Sequence, residues 1–441
     1  MSIRSFVVHN FGCRAAQADG AAVETLLRKQ GLTGVDSNRE AELVVLNTCT
    51  VTATADDEVR QVVRRVRREN PDARILVTGC YAQRAPDEIA ALPGVTWVVG
   101  NSHKTQIPDL IADHYHSQIH VSDIFAQHEF LSAPVEDASG DRSRPNLKIQ
   151  DGCSNRCSFC IIPSVRGRSR SAPLETVVDQ VRQLSERYRE VVLSGINLGR
   201  WGRELAGRLR LSDLVQFLLS ETSVERLRLS SVEPMDFSDE LLRLMAISPR
   251  IAKHVHAPLQ SGSDTVLRRM RRKYRTRHYE DRIRKARAWM PDAAIGADVM
   301  VGFPGETDAE FEESRRFIDS LPFTYLHVFT YSERPGTEAA AATDHVPMPV
   351  RKERNRILRE LAAAKNLAFR QSMVGKMLSV VTLDPQRSAL SSNYLKVDLA
   401  TPRPANQLLD ISIDGVTAQG VREAALFPIL SPDTMQPARF S

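Results

Sequence analysis

The sequence has no long hydrophobic run: across 441 residues, no apolar stretch approaches the roughly 18 residues that a membrane-spanning helix needs. With 42% hydrophobic and 26% charged residues, the composition predicts a soluble globular chain without a membrane partner. A secretory signal is missing as well. Residues 1–11 carry only Arg4 as a basic residue and no long apolar stretch with a small-residue cleavage site, which predicts a cytoplasmic protein. Cysteine is scarce, six in all, and the cytosol keeps thiols reduced. A disulfide framework is thereby excluded, and the placement of the six must carry their meaning. No large excess of one charge is present either; the formal charge of +5 and pI near 8.9 suit a polyanionic partner without requiring one. The length exceeds one ordinary core and predicts two or three domains.

What is there begins with a pattern that occurs three times: an apolar strand, a cysteine just past its end, then a helix with apolar residues at three and four spacing. Residues 6–8 lead to Cys13 and a helix over about 19–30, 43–46 to Cys49 and a helix over about 56–69, and 75–77 to Cys80 and a helix near 86–91. Strands alternating with helices predict a parallel sheet, and such sheets gather ligands outside the carboxyl ends of their strands. The three thiols are therefore expected at one edge. A loop-like stretch over 127–146, with Pro134, Gly140 and Pro145, reads as a linker. Six further strands follow at 147–150, 191–194, 226–229, 254–257, 295–301 and 325–329, most with a polar loop and helix after them, which predicts a partial barrel. From about Met373 the texture turns to short strands at 376–383, 394–399 and 408–413, which fits a small β-barrel. The expected class is α/β, with units at 1–126, 147–371 and 372–432 and a tail at 433–441.

Cys153, Cys157 and Cys160 form a C-x3-C-x2-C run directly after the first strand of the second unit. Three thiolates so close in sequence can wrap one metal centre but supply only three ligands. A 4Fe–4S cube held this way keeps one iron open, which S-adenosylmethionine can chelate through its amino and carboxylate groups. The alternative is a structural zinc knot, which asks for four protein ligands and usually shows paired C-x2-C halves or nearby histidine. No fourth cysteine or histidine lies close in the sequence. For Cys13, Cys49 and Cys80 the alternative is three thiols packed as small hydrophobes. Their repeated position at strand ends argues for a shared ligand role instead.

The segments NTCTVT (47–52), VTGCYAQ (77–83), KIQDGCSNRCSFCIIPSVRGRSRS (148–171), PLQSGSD (258–264), VGFPGET (301–307) and YSERPGT (331–337) resemble the radical S-adenosylmethionine superfamily and, within it, the methylthiotransferases. The resemblance covers nearly the whole chain. It implies an N-terminal parallel α/β domain with an auxiliary 4Fe–4S cluster on Cys13, Cys49 and Cys80, a central partial (β/α)6 barrel with the radical 4Fe–4S cluster on Cys153, Cys157 and Cys160, and a C-terminal RNA-binding β-barrel of the TRAM type. It also implies that one S-adenosylmethionine methylates sulfur on the auxiliary cluster while a second is cleaved reductively. The resulting 5′-deoxyadenosyl radical removes hydrogen from an adenine carbon that no side-chain base could deprotonate. An electron donor such as flavodoxin or ferredoxin is an implied partner.

Further cofactor contacts are expected at the carboxyl ends of barrel strands, where barrel chemistry occurs: Gly195 and Asn197 in SGIN, Ser231 and Glu233 in SSVEP, Gln260 in PLQSGSD and Asp298 in GADVMVGFPGE. Gly302 and Gly305 would let backbone approach the adenosine or simply form turns. SSNYLKV (391–397) resembles the TRAM pattern, with Tyr394 and Lys396 suited to stacking and phosphate contact, although Tyr394 could equally be core; arginine-dense stretches at 60–68 and 268–277 offer cationic faces for tRNA, and a solvated helix face would explain either one alone. Among the family's substrates, threonylcarbamoyl-adenosine in tRNA matches these motifs best; isopentenyl-adenosine in tRNA and a ribosomal-protein aspartate are the alternatives. A noncatalytic, zinc-containing RNA-binding protein is the rival from another class. Two departures stand out: Ala16 occupies a position where the family usually has asparagine, and no acidic residue occurs over 380–383 near the start of the last barrel.

Overall fold

The computed structural model describes residues 3–50, 52–112, 117–127, 130 and 143–425. The expected linker therefore lies largely outside the described residues, and the tail at 433–441 wholly so. In the first unit, β1 (Ser5–Asn10), β2 (Thr33–Gly34), β3 (Leu43–Thr48), β4 (Arg74–Gly79), β5 (Val95–Val99) and β6 (Ile119–His120) form a six-stranded parallel sheet in the order β2-β1-β3-β4-β5-β6. Every residue of β3 is buried, as a strand covered on both faces requires. Val59, Val63 and Val66 of the helix Ala53–Glu69 pack on one face with Val44 and Leu46. Val23 and Leu27 of the helix Arg14–Lys29 pack on the other with Phe6, Leu43 and Val45. That helix starts earlier than expected, with Cys13 at its N-cap and no side-chain cap bond, so no Ser, Thr, Asp or Asn marks its start.

The second unit carries all six expected strands, β7 (Asn146–Asp151), β9 (Glu190–Gly195), β10 (Arg226–Leu229), β11 (His254–His256), β12 (Ala294–Val301) and β13 (Tyr325–Thr330), plus a two-residue β8 (Arg170–Ser171) antiparallel to β7. The ladder runs β10-β9-β7-β8 and then β11-β12-β13. Leu227 bridges to Ile251 and the Val232 N–H donates to the His256 carbonyl at 3.0 Å, joining the halves into an open arc. The helix Arg14–Lys29 packs against β7 and β9, so the first sheet's cysteine edge abuts the arc.

The helix Met348–Gln371 lies along β13 and leads into a closed barrel of β14 (Met377–Leu383), β15 (Ser388–Ser391), β16 (Lys396–Asp398), β17 (Leu408–Val416) and β18 (Val421–Glu423), ordered β14-β15-β16-β18-β17. Val380, Ala389, Val397, Ile411, Ile413 and Val421 fill its interior. Buried arginines dock it on β10: Arg228 donates to both carboxylate oxygens of Glu190, at 2.8 and 3.1 Å, and to the carbonyls of Ser391 and Ser392. No helix among the described residues is long and apolar enough to cross a membrane.

Candidate active site between two cysteine trios

β1, β3 and β4 are neighbours, with Asn10 opposite Asn47 and Thr48 opposite Gly79, so the residues after them emerge together. Cys13 caps the helix after β1, Cys49 follows β3, and Cys80 opens the helix Cys80–Arg84 after β4. Gly12 makes the closest approach. Its φ is +94°, and a Cβ there would lie 2.4 Å from the Cys49 Cβ and 2.7 Å from its Sγ. The Cys80 Sγ accepts from Arg166 Nε at 3.2 Å and lies 3.7 Å from Asn101 Nδ2. Gly12→Ala is expected to lower the iron bound by this trio while sparing the barrel trio, measured as iron per chain after anaerobic reconstitution. Gly31→Ala, where φ is +87° but a Cβ would meet nothing within 4 Å, is the control and should keep its iron.

In the barrel trio, the chain leaves β7 through Gly152, at φ +67°, where a Cβ would fall 2.0 Å from the Arg168 carbonyl oxygen. The Cys153 N–H then bonds the Gly167 carbonyl at 3.0 Å, and Cys160 N–H bonds Cys157 O at 3.1 Å, closing the loop on itself. The Cys153 Sγ receives the Asn155 N–H at 3.4 Å, and the Cys157 Sγ receives Arg272 Nη1 at 3.3 Å. Burial pushes the Cys160 thiol up to about 12 and raises Cys153. Such thiols need a bound cation to become thiolates.

Between the trios lies a buried charge cluster. Asp19 bonds Lys104 at 3.1 Å, Arg166 at 2.9 Å and Lys148, while Asp151 bonds Lys148 at 3.1 Å and Arg166 at 2.9 Å. Burial opposes ionisation of Asp19, yet Lys104, Lys148 and Arg166 outweigh it and hold the carboxyl well below its usual range. Arg166 is raised in turn: burial disfavours its charge, but Cys80, Asp19, Asp151 and Cys13 overcome that. One guanidinium thus touches the Cys80 sulfur, both carboxylates and the field of Cys13.

A cavity of about 370 Å³ opens where the three units meet, lined among others by Cys13, Gly195, Ser231, Asp298, His327 and Tyr394. Three of the expected cofactor residues, Gly195, Ser231 and Asp298, face this space. Asn197 and Glu233 sit instead beside the barrel trio: Asn197 Nδ2 is 3.7 Å from the Cys153 Sγ, and Glu233 pairs with Arg272, the donor to Cys157. Gln260, at φ +67°, ties its loop to β12 through its N–H to the Asp298 carbonyl and its own carbonyl to Met300 N–H, each 2.8 Å. Its side chain makes no hydrogen bond among the described residues. Tyr394 takes the packed alternative: its ring stacks on His254 at 4.3 Å and 15°, forming cavity wall.

Residues 5–100 match the family described as Uncharacterized protein family UPF0004, and residues 147–318 match the Radical SAM superfamily. The threonylcarbamoyladenosine tRNA methylthiotransferase MtaB of Bacillus subtilis (strain 168) is 42% identical over 365 residues, 82% of this chain and 80% of that protein. The chain belongs to the radical S-adenosylmethionine methylthiotransferases. MtaB of Aquifex aeolicus (strain VF5) is 35% identical over 406 residues, covering 91% of this methylthiotransferase and 98% of that one. The tRNA-2-methylthio-N(6)-dimethylallyladenosine synthase of Novosphingobium aromaticivorans is 35% identical over 389 residues, 86% of this chain and 87% of that protein. The radical S-adenosylmethionine methyltransferase TsrM from Kitasatospora setae, solved with tryptophan and a SAM analog, shares the fold alone: TM-score 0.59 and 16% identity, covering 77% of this chain and 75% of that one.

Membership in this superfamily implies one 4Fe–4S cluster and S-adenosylmethionine, and the methylthiotransferase's residues fit both. A single tetrahedral zinc draws its sulfurs to roughly 3.8 Å of one another. Among the described residues only His256, Asp298 and His327 bring three ligand atoms within 4.8 Å, so neither cysteine trio closes tightly enough for one ion. The Radical SAM match over 147–318, which implies a 4Fe–4S cluster, argues against the zinc-knot alternative. The Asn197 Oδ1 is buried without a hydrogen-bond partner, on the same side chain whose Nδ2 approaches Cys153. Sequence reasoning missed Gln150, whose side chain bonds the backbone of Asn197, Asp151 and Gly152. It also missed His254, His256, Tyr325 and His327, although alternation along HVH and YLH was the available signal, since residues two apart share a strand face.

Proposed function

We propose that the chain converts N6-threonylcarbamoyladenosine beside the anticodon of tRNA, on its 3′ side, to the 2-methylthio derivative. The observation that carries this reading is the shared cavity, which Cys13 of the first sheet, Gly195, Ser231 and Asp298 of the barrel, and Tyr394 of the last barrel all line. The names of the Bacillus subtilis and Aquifex aeolicus relatives supply the substrate. Cys153, Cys157 and Cys160 would hold the radical cluster, and Cys13, Cys49 and Cys80 a second 4Fe–4S cluster. When bound, these groups and S-adenosylmethionine supply a 5′-deoxyadenosyl radical and a methylated sulfur. Asn197 and Glu233 would contact the cofactor near the barrel trio, with Gly195, Ser231, Gln260 and Asp298 along the strand ends. The side chains' share is placement: they hold the target carbon between the trios and keep water out.

Exposed Arg64, Arg65 and Arg68 on the first unit and Lys396 on the last offer phosphate contacts. The stretch 268–277 contributes less than its charge suggests, because Arg269, Arg271 and Arg272 pair with Glu310, Glu338 and Glu233. A flavodoxin or ferredoxin in the cytoplasm would deliver electrons, and units at 1–126, 147–371 and 372–432 would divide the work. The test is incubation of the reconstituted protein with threonylcarbamoylated tRNA, S-adenosylmethionine and reductant, followed by nucleoside mass spectrometry. A methylthio derivative with equimolar 5′-deoxyadenosine is expected. Methylthiolation of isopentenyl-adenosine or of a protein aspartate instead would overturn the reading.

A further inference from the structure

We propose that Arg14 is the receptor for the carboxylate of the amino-acid substituent on the target adenine, and so a specificity-determining residue. This deepens the reading above and rests on it. Arg14 follows Cys13 directly and lines the same cavity. It is partly buried, and among the described residues its guanidinium makes no ion pair and no hydrogen bond. Neighbouring buried arginines behave otherwise: Arg166 faces Asp19 and Asp151, Arg228 faces Glu190, and Arg272 faces Glu233. A partly desolvated cation without a counter-ion is costly unless a ligand supplies one.

The rest of the cavity wall does not supply it. Asp298 is the one carboxylate among the lining residues, and its Oδ1 accepts from His256 Nε2 at 3.2 Å and His327 Nδ1 at 3.1 Å. Those bonds outweigh burial and hold it well below the usual carboxylate range, so its charge is already engaged across the wall. Behind the wall, buried Glu190 faces three guanidiniums, Arg228 at 2.8 Å and Arg144 and Arg226 at 3.6 Å, which leaves a positive excess. Burial, then Arg228, His256 and Arg14, push the His254 ring well below its usual range.

Of the two arginines that line the wall, Arg228 is thus met by Glu190, and Arg14 is left without a partner. A carbamoyl-linked amino acid carries an anion that matches it. An isopentenyl group carries none and would leave Arg14 unpaired, the kind of mismatch against which polar sites discriminate strongly.

The test uses three anticodon stem-loops: threonylcarbamoyl-adenosine as the free acid, the same with its carboxylate converted to the primary amide, and isopentenyl-adenosine. The protein is the holoenzyme with both clusters reconstituted. Wild type is expected to prefer the acid over the amide by roughly thirtyfold in kcat/KM, the range of one charge-assisted hydrogen bond. Arg14→Gln is expected to lose that preference by slowing on the acid alone, and Arg14→Lys to restore part of it. Anisotropy titrations without S-adenosylmethionine should show the same loss in Kd, with the electron paramagnetic resonance spectrum of the N-terminal cluster unchanged. Equal use of acid and amide by wild type, or retained preference in Arg14→Gln, overturns the proposal while leaving the function standing. Should Arg14→Gln fail to load its clusters, the wild-type comparison and Arg14→Lys decide the matter. Turnover of the isopentenyl stem-loop alone would sink the functional reading itself.

Discussion

Cys157→Ala is expected to abolish both 5′-deoxyadenosine release and methylthiolation, a fall of at least roughly 10⁴-fold to background. Two remaining cysteines do not retain a cluster that three barely enclose. The change is otherwise mild: Cys157 is only partly buried, and its donor Arg272 keeps its pairing with Glu233. Circular dichroism and melting temperature should therefore change little while the brown colour of the barrel cluster is lost. Cys49→Ala separates the two roles. It leaves the barrel trio intact, so cofactor cleavage to 5′-deoxyadenosine should persist while thiolation disappears. Loss of cleavage in Cys49→Ala to the same degree as in Cys157→Ala would contradict the division of labour.

Asp19→Asn is expected to be the most damaging substitution for stability, by about 3–5 kcal/mol, the cost of breaking a buried ion pair from one side. It would leave Lys104, Lys148 and Arg166, all nearly fully buried, sharing only Asp151. The same cluster predicts an acid limit. Folded Asp19 and Asp151 both lie below their unfolded values, because neighbouring cations outweigh burial. Their contribution is fully present above about pH 4, the unfolded carboxylate range, and is lost as the pH falls through the folded values. Melting temperatures measured from neutral pH down to strongly acidic pH should fall steeply for wild type and more shallowly for Asp19→Asn. Parallel curves would show that the cluster does not couple folding to protonation.

The strands and their terminal cysteines were legible because runs such as LVVLNT and RILVTG are short, branched and bounded by turns, and a parallel sheet then fixes where their ends go. The (β/α) repeat of the second unit was legible for the same reason. β8, β15 and β18 were not: RS, SALS and VRE carry too few residues for a period of two to emerge. The charge cluster was invisible for a different reason. Asp19 meets Lys104, Lys148 and Arg166 across 85, 129 and 147 residues of chain, and nothing in a local window says which charges will share a buried site. Tyr394 stayed open between two readings because stacking on RNA and stacking on His254 ask for the same side chain.

Ala16 stands where the family resemblance leads one to expect an asparagine. It is buried, and Asn47 Nδ2 bonds its carbonyl at 2.6 Å and Asn10 Oδ1 at 3.0 Å. The Asn47 amide is thus held at both ends, its nitrogen by Ala16 and Asn10 and its oxygen by Lys104 Nζ at 3.3 Å.

Each cysteine trio is expected to carry its own cluster. Mössbauer spectra with iron counting, on reconstituted wild type and on two triple variants, Cys13/Cys49/Cys80→Ala and Cys153/Cys157/Cys160→Ala, read this directly. Each variant should keep half the wild-type iron in a 4Fe–4S signature, with S-adenosylmethionine perturbing only the cluster that survives in the first variant. Unchanged iron after removal of Cys13, Cys49 and Cys80 would contradict it.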